Sequence, residues 1–205
     1  MASHAAGGGL GLIMLLSCVI VAAYHRNIAG IVTGCIYGCS ILLLFTMSSI
    51  YHGLKHGTAK RVFQVLDHCM IYLMIAGTYT PVLLCAYRLE YPASAFSILG
   101  IVWGLAALGI TLTSIDLQKF RKIAMGCYLG MGWCIVFQLR RMLGVYGTRL
   151  FVLLLIGGVL YTGGVVFYAI GGKKKYMHSV FHIFVNVATV LQFFGIVVYV
   201  MPGPV

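Results

Sequence analysis

The sequence predicts an all-α bundle of seven membrane-spanning helices, and three observations carry that reading. Of its 205 residues 61% are hydrophobic and only 8% charged, with a mean hydropathy of +1.02, a composition that no water-soluble domain of this size carries. The apolar residues fall in runs of the length a helix needs to cross a bilayer, about 20 residues. No stretch alternates apolar with polar residues as a membrane barrel would, and the 26 glycines suit helices that pack closely through small side chains.

The N-terminal MASHAAGGGLG lacks the basic region of a secretory signal, so the first apolar run, 6–24, is expected to be a retained span. The second, 28–53, carries Gly30, Gly34 and Gly38 at a four-residue period, a stripe that admits a close neighbour. The third, 59–87, follows a bend near Gly57 with Thr58 as its expected N-cap, and Pro81 within it removes a backbone donor. The fourth covers 93–114. The fifth, 123–139, carries Gly126, Gly130 and Gly132, and the sixth, 150–170, carries two glycine pairs. The last runs from near Lys175 to near Met201. No soluble domain, long linker or internal repeat interrupts these spans, so residues 1–205 read as one seven-helix domain.

The net charge is +11, with fourteen Lys and Arg against three Asp and Glu. The basic residues lie between the apolar runs, where they meet anionic lipid headgroups, and this argues against nucleic acid as a partner. An odd number of spans puts the termini on opposite sides. The N-terminal side holds nine basic residues, Lys55, Lys60, Arg61, Lys119, Arg121, Lys122 and Lys173 to Lys175; the other holds five, Arg26, Arg88, Arg140, Arg141 and Arg149. The excess predicts a cytoplasmic N-terminus and an external C-terminus. The seven cysteines show no CxxC spacing and read as small buried hydrophobes.

The chemistry is concentrated in Ser48 to Pro81 and at the start of the last span. Ser48 and His52 are four residues apart and share a helical face. Antiparallel packing brings Asp67 roughly level with Ser48, and a carboxylate at that depth is costly unless it serves a site. His178 and His182 repeat the four-residue spacing, which suits two ligands of one metal, and His52 supplies a third nitrogen. Three imidazoles with an open position are the pattern of a catalytic zinc ion. Asp67 either binds that ion or accepts a proton from water, and Ser48 orients the water or a substrate carbonyl. His68 is turned about 100° away from Asp67 around the helix, and His56 sits in the exposed turn.

These residues resemble the hemolysin III branch of the progestin and adipoQ receptor family. Ser48-Ser49-Ile50-Tyr51-His52 matches its Ser-x-x-x-His, Asp67-His68 leading to Ala76-Gly77-Thr78-Tyr79-Thr80-Pro81 its second element, and His178-Ser179-Val180-Phe181-His182 its His-x-x-x-His. The polar segment that precedes the first span in that family is absent from this sequence, and the short tail points to the bacterial branch. The resemblance implies a seven-helix bundle with cytoplasmic N-terminus and zinc (Zn2+) held by His52, His178 and His182. It also implies a cell-membrane location and ceramidase-like chemistry, since alkaline ceramidases are similar in their Ser, Asp and three-His arrangement. The expected function is therefore zinc-dependent hydrolysis of a lipid amide bond, with Asp67 and Ser48 as catalytic residues and a membrane lipid as substrate. The alternatives are a cytolytic protein that perturbs bilayers, as the branch's name implies, and a zinc-stabilised sensor without turnover.

Protease mapping in sealed cells tests the orientation: the Lys173 to Lys175 loop is expected to be cleaved only from the cytoplasmic side.

Overall fold

A computed structural model of the chain describes the backbone of residues 2–170 and 177–204, and the side chains of residues 8–167 and 180–204. Among the described residues every regular element is a helix and there is no strand. They form α1 (Ala2–Tyr24), α2 (Ile28–Gly53), α3 (Thr58–Val82), α4 (Pro92–Ile115), α5 (Arg121–Trp133), α6 (Leu139–Ile170) and α7 (Met177–Tyr199). α3 continues through a π turn, Leu83–Tyr87, to Glu90, and a 3-10 segment, Cys134–Gln138, joins α5 to α6. Among the described residues five helical stretches are long and apolar enough to cross a bilayer: Ile28–Gly53, Thr58–Glu90, Pro92–Ile115, Arg121–Phe167 and Val180–Tyr199. A shorter apolar helix, Gly8–Tyr24, accompanies them.

Helices adjacent in sequence pack against each other, and α1 touches α7 to close the ring. The tightest approach is between α1 and α2, where the glycine stripe meets its partner. A Cβ at Gly38 would lie 2.5 Å from the Leu15 Cα, and one at Gly34 would lie 3.2 Å from the Cys18 Cβ. Asn27 caps α2, its Oδ1 accepting from the Gly30 N–H at 2.9 Å while its Nδ2 donates to the Met201 carbonyl at 2.9 Å. One short polar side chain thus satisfies an orphan donor of the helix start and pins the C-terminal segment.

Several local expectations need correction. Gly57, in an extended conformation, occupies the cap position before α3, and Thr58 is the first helical residue. Pro81 is accommodated within α3, and the ladder widens just beyond it, at Leu83–Tyr87. The segment 140–149, expected as a loop, is helical except at Gly147 (φ 73°, ψ 177°), the helix running through Gly144 without a break. Gly126, Gly130 and Gly132 have no neighbour within 4 Å of a built Cβ, so the α5 glycines are not a packing stripe. Cys18, Cys69 and Cys85 are buried, whereas Cys39 is exposed and the other three are half-buried. The outer face of a membrane helix is as apolar as the core, so an apolar run does not tell inside from outside. The Lys173 to Lys175 run lies outside the described residues.

Gly38→Ala is expected to destabilise the fold by about 1–3 kcal/mol, because backbone must move to admit the methyl group. Gly104→Ala, at a position with nothing within 4 Å, is expected to be neutral or to stabilise by up to about 1 kcal/mol. Thermal unfolding of the two variants in detergent checks the contrast in sign.

Candidate functional site

The last turn of α2, the second and third turns of α3 and the start of α7 meet at one end of the bundle. Ser48 is buried, and its side chain shares a hydrogen bond with that of Asp67 on α3, the hydroxyl donating to the carboxylate. One turn further along α2, the His52 ring packs edge-on against the His182 ring of α7, with centroids 5.1 Å apart and planes at 84°. Each histidine is buttressed from its own helix, His52 by Tyr51 at 4.6 Å and His182 by Phe181 at 5.3 Å. Lys60 lies over the Tyr51 ring at 5.4 Å and donates to the Leu54 carbonyl at 2.9 Å, tying the α2–α3 turn to this end.

Ser48, Asp67 and His182 lie in the wall of a cavity of about 260 Å³ that runs into the bundle between α2, α3, α5, α6 and α7. Its body is mostly apolar, with Leu44, Ile71, Ile75, Leu129 and Val165 among the lining residues. This shape, an apolar chamber with polar groups converging at one end, is that of a ligand site. His68 also lines the cavity, with Nδ1 2.7 Å from the Gln64 carbonyl of its own helix. His56 is exposed, as its position in the turn predicts.

Of the residues singled out from sequence, Ser48 with Asp67 and His52 with His182 come together as pairs at one end of the cavity. The side chain of His178 lies outside the described residues; its backbone is in α7, one turn before His182. Among the described residues no three His, Cys, Asp or Glu side chains converge closely enough to hold a metal. Among the further polar residues that line the chamber and escaped the sequence reading are Asn186, Tyr161 and Gln192. Asn186 is four residues beyond His182, so extending the His-x-x-x-His spacing by one more step would have found it. Tyr161 is held by Thr189 at 2.7 Å, and Gln192 donates to the Leu154 carbonyl at 3.3 Å across a gap left by Gly157.

A family model described as "Haemolysin-III related" matches residues 1–193. The chain belongs to that family. It is 34% identical over 200 residues to "Hemolysin-3" of Bacillus cereus, covering 98% of this chain and 90% of the relative. It is 33% identical over 202 residues to "Hemolysin-3 homolog" of Bacillus subtilis (strain 168), covering 98% and 93%. More distantly, it is 27% identical over 178 residues to the human "Monocyte to macrophage differentiation factor", covering 84% of this chain and 72% of the relative. Family membership and the apolar helices together make this a membrane protein.

Ser48→Ala is expected to cost about 1–3 kcal/mol, because it strips a donor from a carboxylate in a low-dielectric wall. Ser17→Ala, whose hydroxyl only returns to the Ile13 carbonyl of its own exposed turn, is expected to change stability by less than about 0.5 kcal/mol. Equal losses in thermal melts of the two variants would show that the Ser48–Asp67 bond contributes nothing.

Proposed function

We propose that this haemolysin-III-related chain is a seven-span protein of the cell membrane, cytoplasmic at its N-terminus, that hydrolyses an amide bond of a membrane lipid at a zinc site. The observation that carries the reading is the His52–His182 ring contact at 5.1 Å beside a cavity whose wall holds the Ser48–Asp67 pair. Division of the stretch Arg121–Phe167 into two spans supports the count. Its 47 residues would reach roughly 70 Å if straight, more than twice the hydrocarbon thickness. The Trp133 Nε1 donates to the Thr162 Oγ1 at 3.1 Å, two positions nearly equidistant in sequence from the break at Gly147, which is the signature of a hairpin. The nine-to-five division of basic residues supports the orientation.

The donor chemistry of the site fits zinc. Imidazole nitrogen is a preferred zinc donor, and the ion would be held by His52, His178 and His182. When bound, zinc supplies Lewis acidity that polarises a carbonyl and acidifies water. Asp67 accepts the proton given up by the attacking water, and the Ser48 hydroxyl holds the carboxylate in the orientation to do so. The apolar chamber takes the acyl chain and keeps bulk water away, so that each polar contact acts in a low dielectric. Asn186, one turn deeper than His182, offers both a donor and an acceptor to the polar part of the lipid.

The names of the two bacterial relatives favour a second reading, in which the chain permeabilises membranes. Metal analysis and product analysis of the same preparations separate the two. Wild type is expected to carry about one zinc per chain and His182→Ala almost none. Asp67→Asn is expected to keep the metal while losing fatty-acid release from an N-acyl lipid by roughly 10²-fold or more. A fully zinc-loaded protein that releases no fatty acid would remove the hydrolase reading, and lysis of erythrocytes that survives both substitutions would establish permeabilisation.

A further inference from the structure

The end of the bundle opposite the histidines carries a second concave surface. It is an open groove of about 430 Å³ lined by Val136, Phe137, Gln138, Leu139, Arg140 and Arg141, where the 3-10 segment turns into α6. Its floor is fixed from within the bundle. The fully buried Tyr87 donates its hydroxyl to the Gln138 Oε1 at 3.1 Å, and the same oxygen accepts from the Arg141 Nη1 at 3.1 Å. The Arg141 guanidinium also lies 5.0 Å from the centroid of the Tyr91 ring. A stacked and hydrogen-bonded guanidinium has lost most of its rotamer freedom before any ligand arrives, while most of its donors are unused by the protein.

The groove has cationic side chains, and among the described residues no acidic side chain is paired with them. Of the three acidic residues in the chain, Asp67 is bonded to Ser48 at the other end and Asp116 caps the turn after α4 by accepting from the Gln118 and Lys119 N–H groups. Glu90 forms no ion pair with Arg140 or Arg141. Beside the arginines, Phe137 is 88% exposed and Val136 38% exposed, an apolar ledge against a cationic one. The basic residues at this end, Arg26, Arg88, Arg140, Arg141 and Arg149, are all arginine, whereas those at the histidine end are mostly lysine. Arginine is the residue whose planar fork matches phosphate oxygens two at a time.

We infer that the Val136–Arg141 turn is a binding site for the phosphate headgroup of an anionic phospholipid, with Gln138, Arg140 and Arg141 as its ligands and Phe137 against the acyl chains. A zwitterionic lipid brings its own ammonium beside the phosphate, which offsets part of the attraction to the two guanidinium groups, and free phosphate leaves the apolar ledge uncovered. The site does not depend on the chemistry proposed for the histidine end.

The test uses the full chain in nanodiscs of equal phosphatidylglycerol and phosphatidylcholine, extracted into mild detergent, with retained lipid counted by native mass spectrometry. Phosphatidylglycerol is expected to be retained over phosphatidylcholine by roughly tenfold, and R140Q/R141Q to bring the ratio near one. K119Q/K122Q, which removes equal charge from the opposite end, is expected to leave the preference intact. R141K keeps the charge without the fork and is expected to lose part of the preference; it serves if the double variant does not fold. Unchanged preference in R140Q/R141Q or R141K, an equal loss in K119Q/K122Q, or displacement of the lipid by millimolar inorganic phosphate would overturn the inference.

Discussion

In hydrocarbon a backbone group deprived of its helical partner must find another inside the protein, because no water is there to replace it. Two tyrosine hydroxyls meet that requirement here, and a third adds a bond to a carbonyl within α3. Widening of α3 into a π turn separates the Ala86 N–H from the Val82 carbonyl, and the Tyr146 hydroxyl enters the gap, accepting from the first at 3.2 Å and donating to the second at 2.7 Å. At the end of α5 the Tyr79 hydroxyl does the same between the Ile135 N–H at 3.0 Å and the Gly132 carbonyl at 3.1 Å. Tyr128 on α5 donates to the His68 carbonyl at 3.1 Å. Each bond satisfies a polar group and also fixes the rotation and height of α3 against α5 and α6.

The candidate site inherits that fixation. Asp67 is one residue from the carbonyl that Tyr128 holds, so the partner that stops α3 from sliding is adjacent to the carboxylate. Its opposite wall is equally constrained, since α2 is clasped to α1 through the glycine stripe and pinned at its far end by Asn27. Ser48 and Asp67 therefore meet because two helices are separately anchored, and their own hydrogen bond need not hold those helices together. α7 is positioned by α6, where Gly157, Gly164 and Gly195 admit Gln192, Phe184 and Leu150 at close range. The His182 ring reaches the His52 ring from that side. Two independently anchored helix pairs thus present one imidazole each to the same point.

Much of this is legible in the sequence because it depends on periodicity. Helices over 28–53 and 93–114, the shared face of Ser48 and His52, and the costly carboxylate at 67 all follow from spacing and hydropathy. The features that are not legible depend on what lies across the bundle. Nothing near Tyr79 or Tyr146 in sequence marks them as backbone partners of another helix: the first sits inside an apolar run and the second in the segment between two runs. The role of a glycine is equally hidden: the stripes on α2 and α5 look alike, yet only the first has a neighbour pressed against it. The cavity is the least legible feature, because its volume is set by side chains from five helices at once.

The contrast between those two glycine stripes has a dynamic consequence. On α2, glycine's cost in helix propensity, up to about 1 kcal/mol each, is offset by the packing that it permits. On α5 the same cost at Gly126, Gly130 and Gly132 is not offset by packing, since nothing lies within 4 Å of a Cβ built at any of them. The helix then tightens into a 3-10 segment whose hydrogen bonding is poorer. What ties α5 to its neighbours is a small set of side chains on one face, chiefly Tyr128, Trp133 and the incoming Tyr79. Those residues also line the cavity. The ingredients of low local stability are therefore collected in one wall of the chamber, while the walls that carry Ser48, Asp67 and the histidine contact are braced. Tyr128 on that wall also holds the carbonyl beside Asp67, so a displacement of α5 is transmitted to the polar end of the chamber.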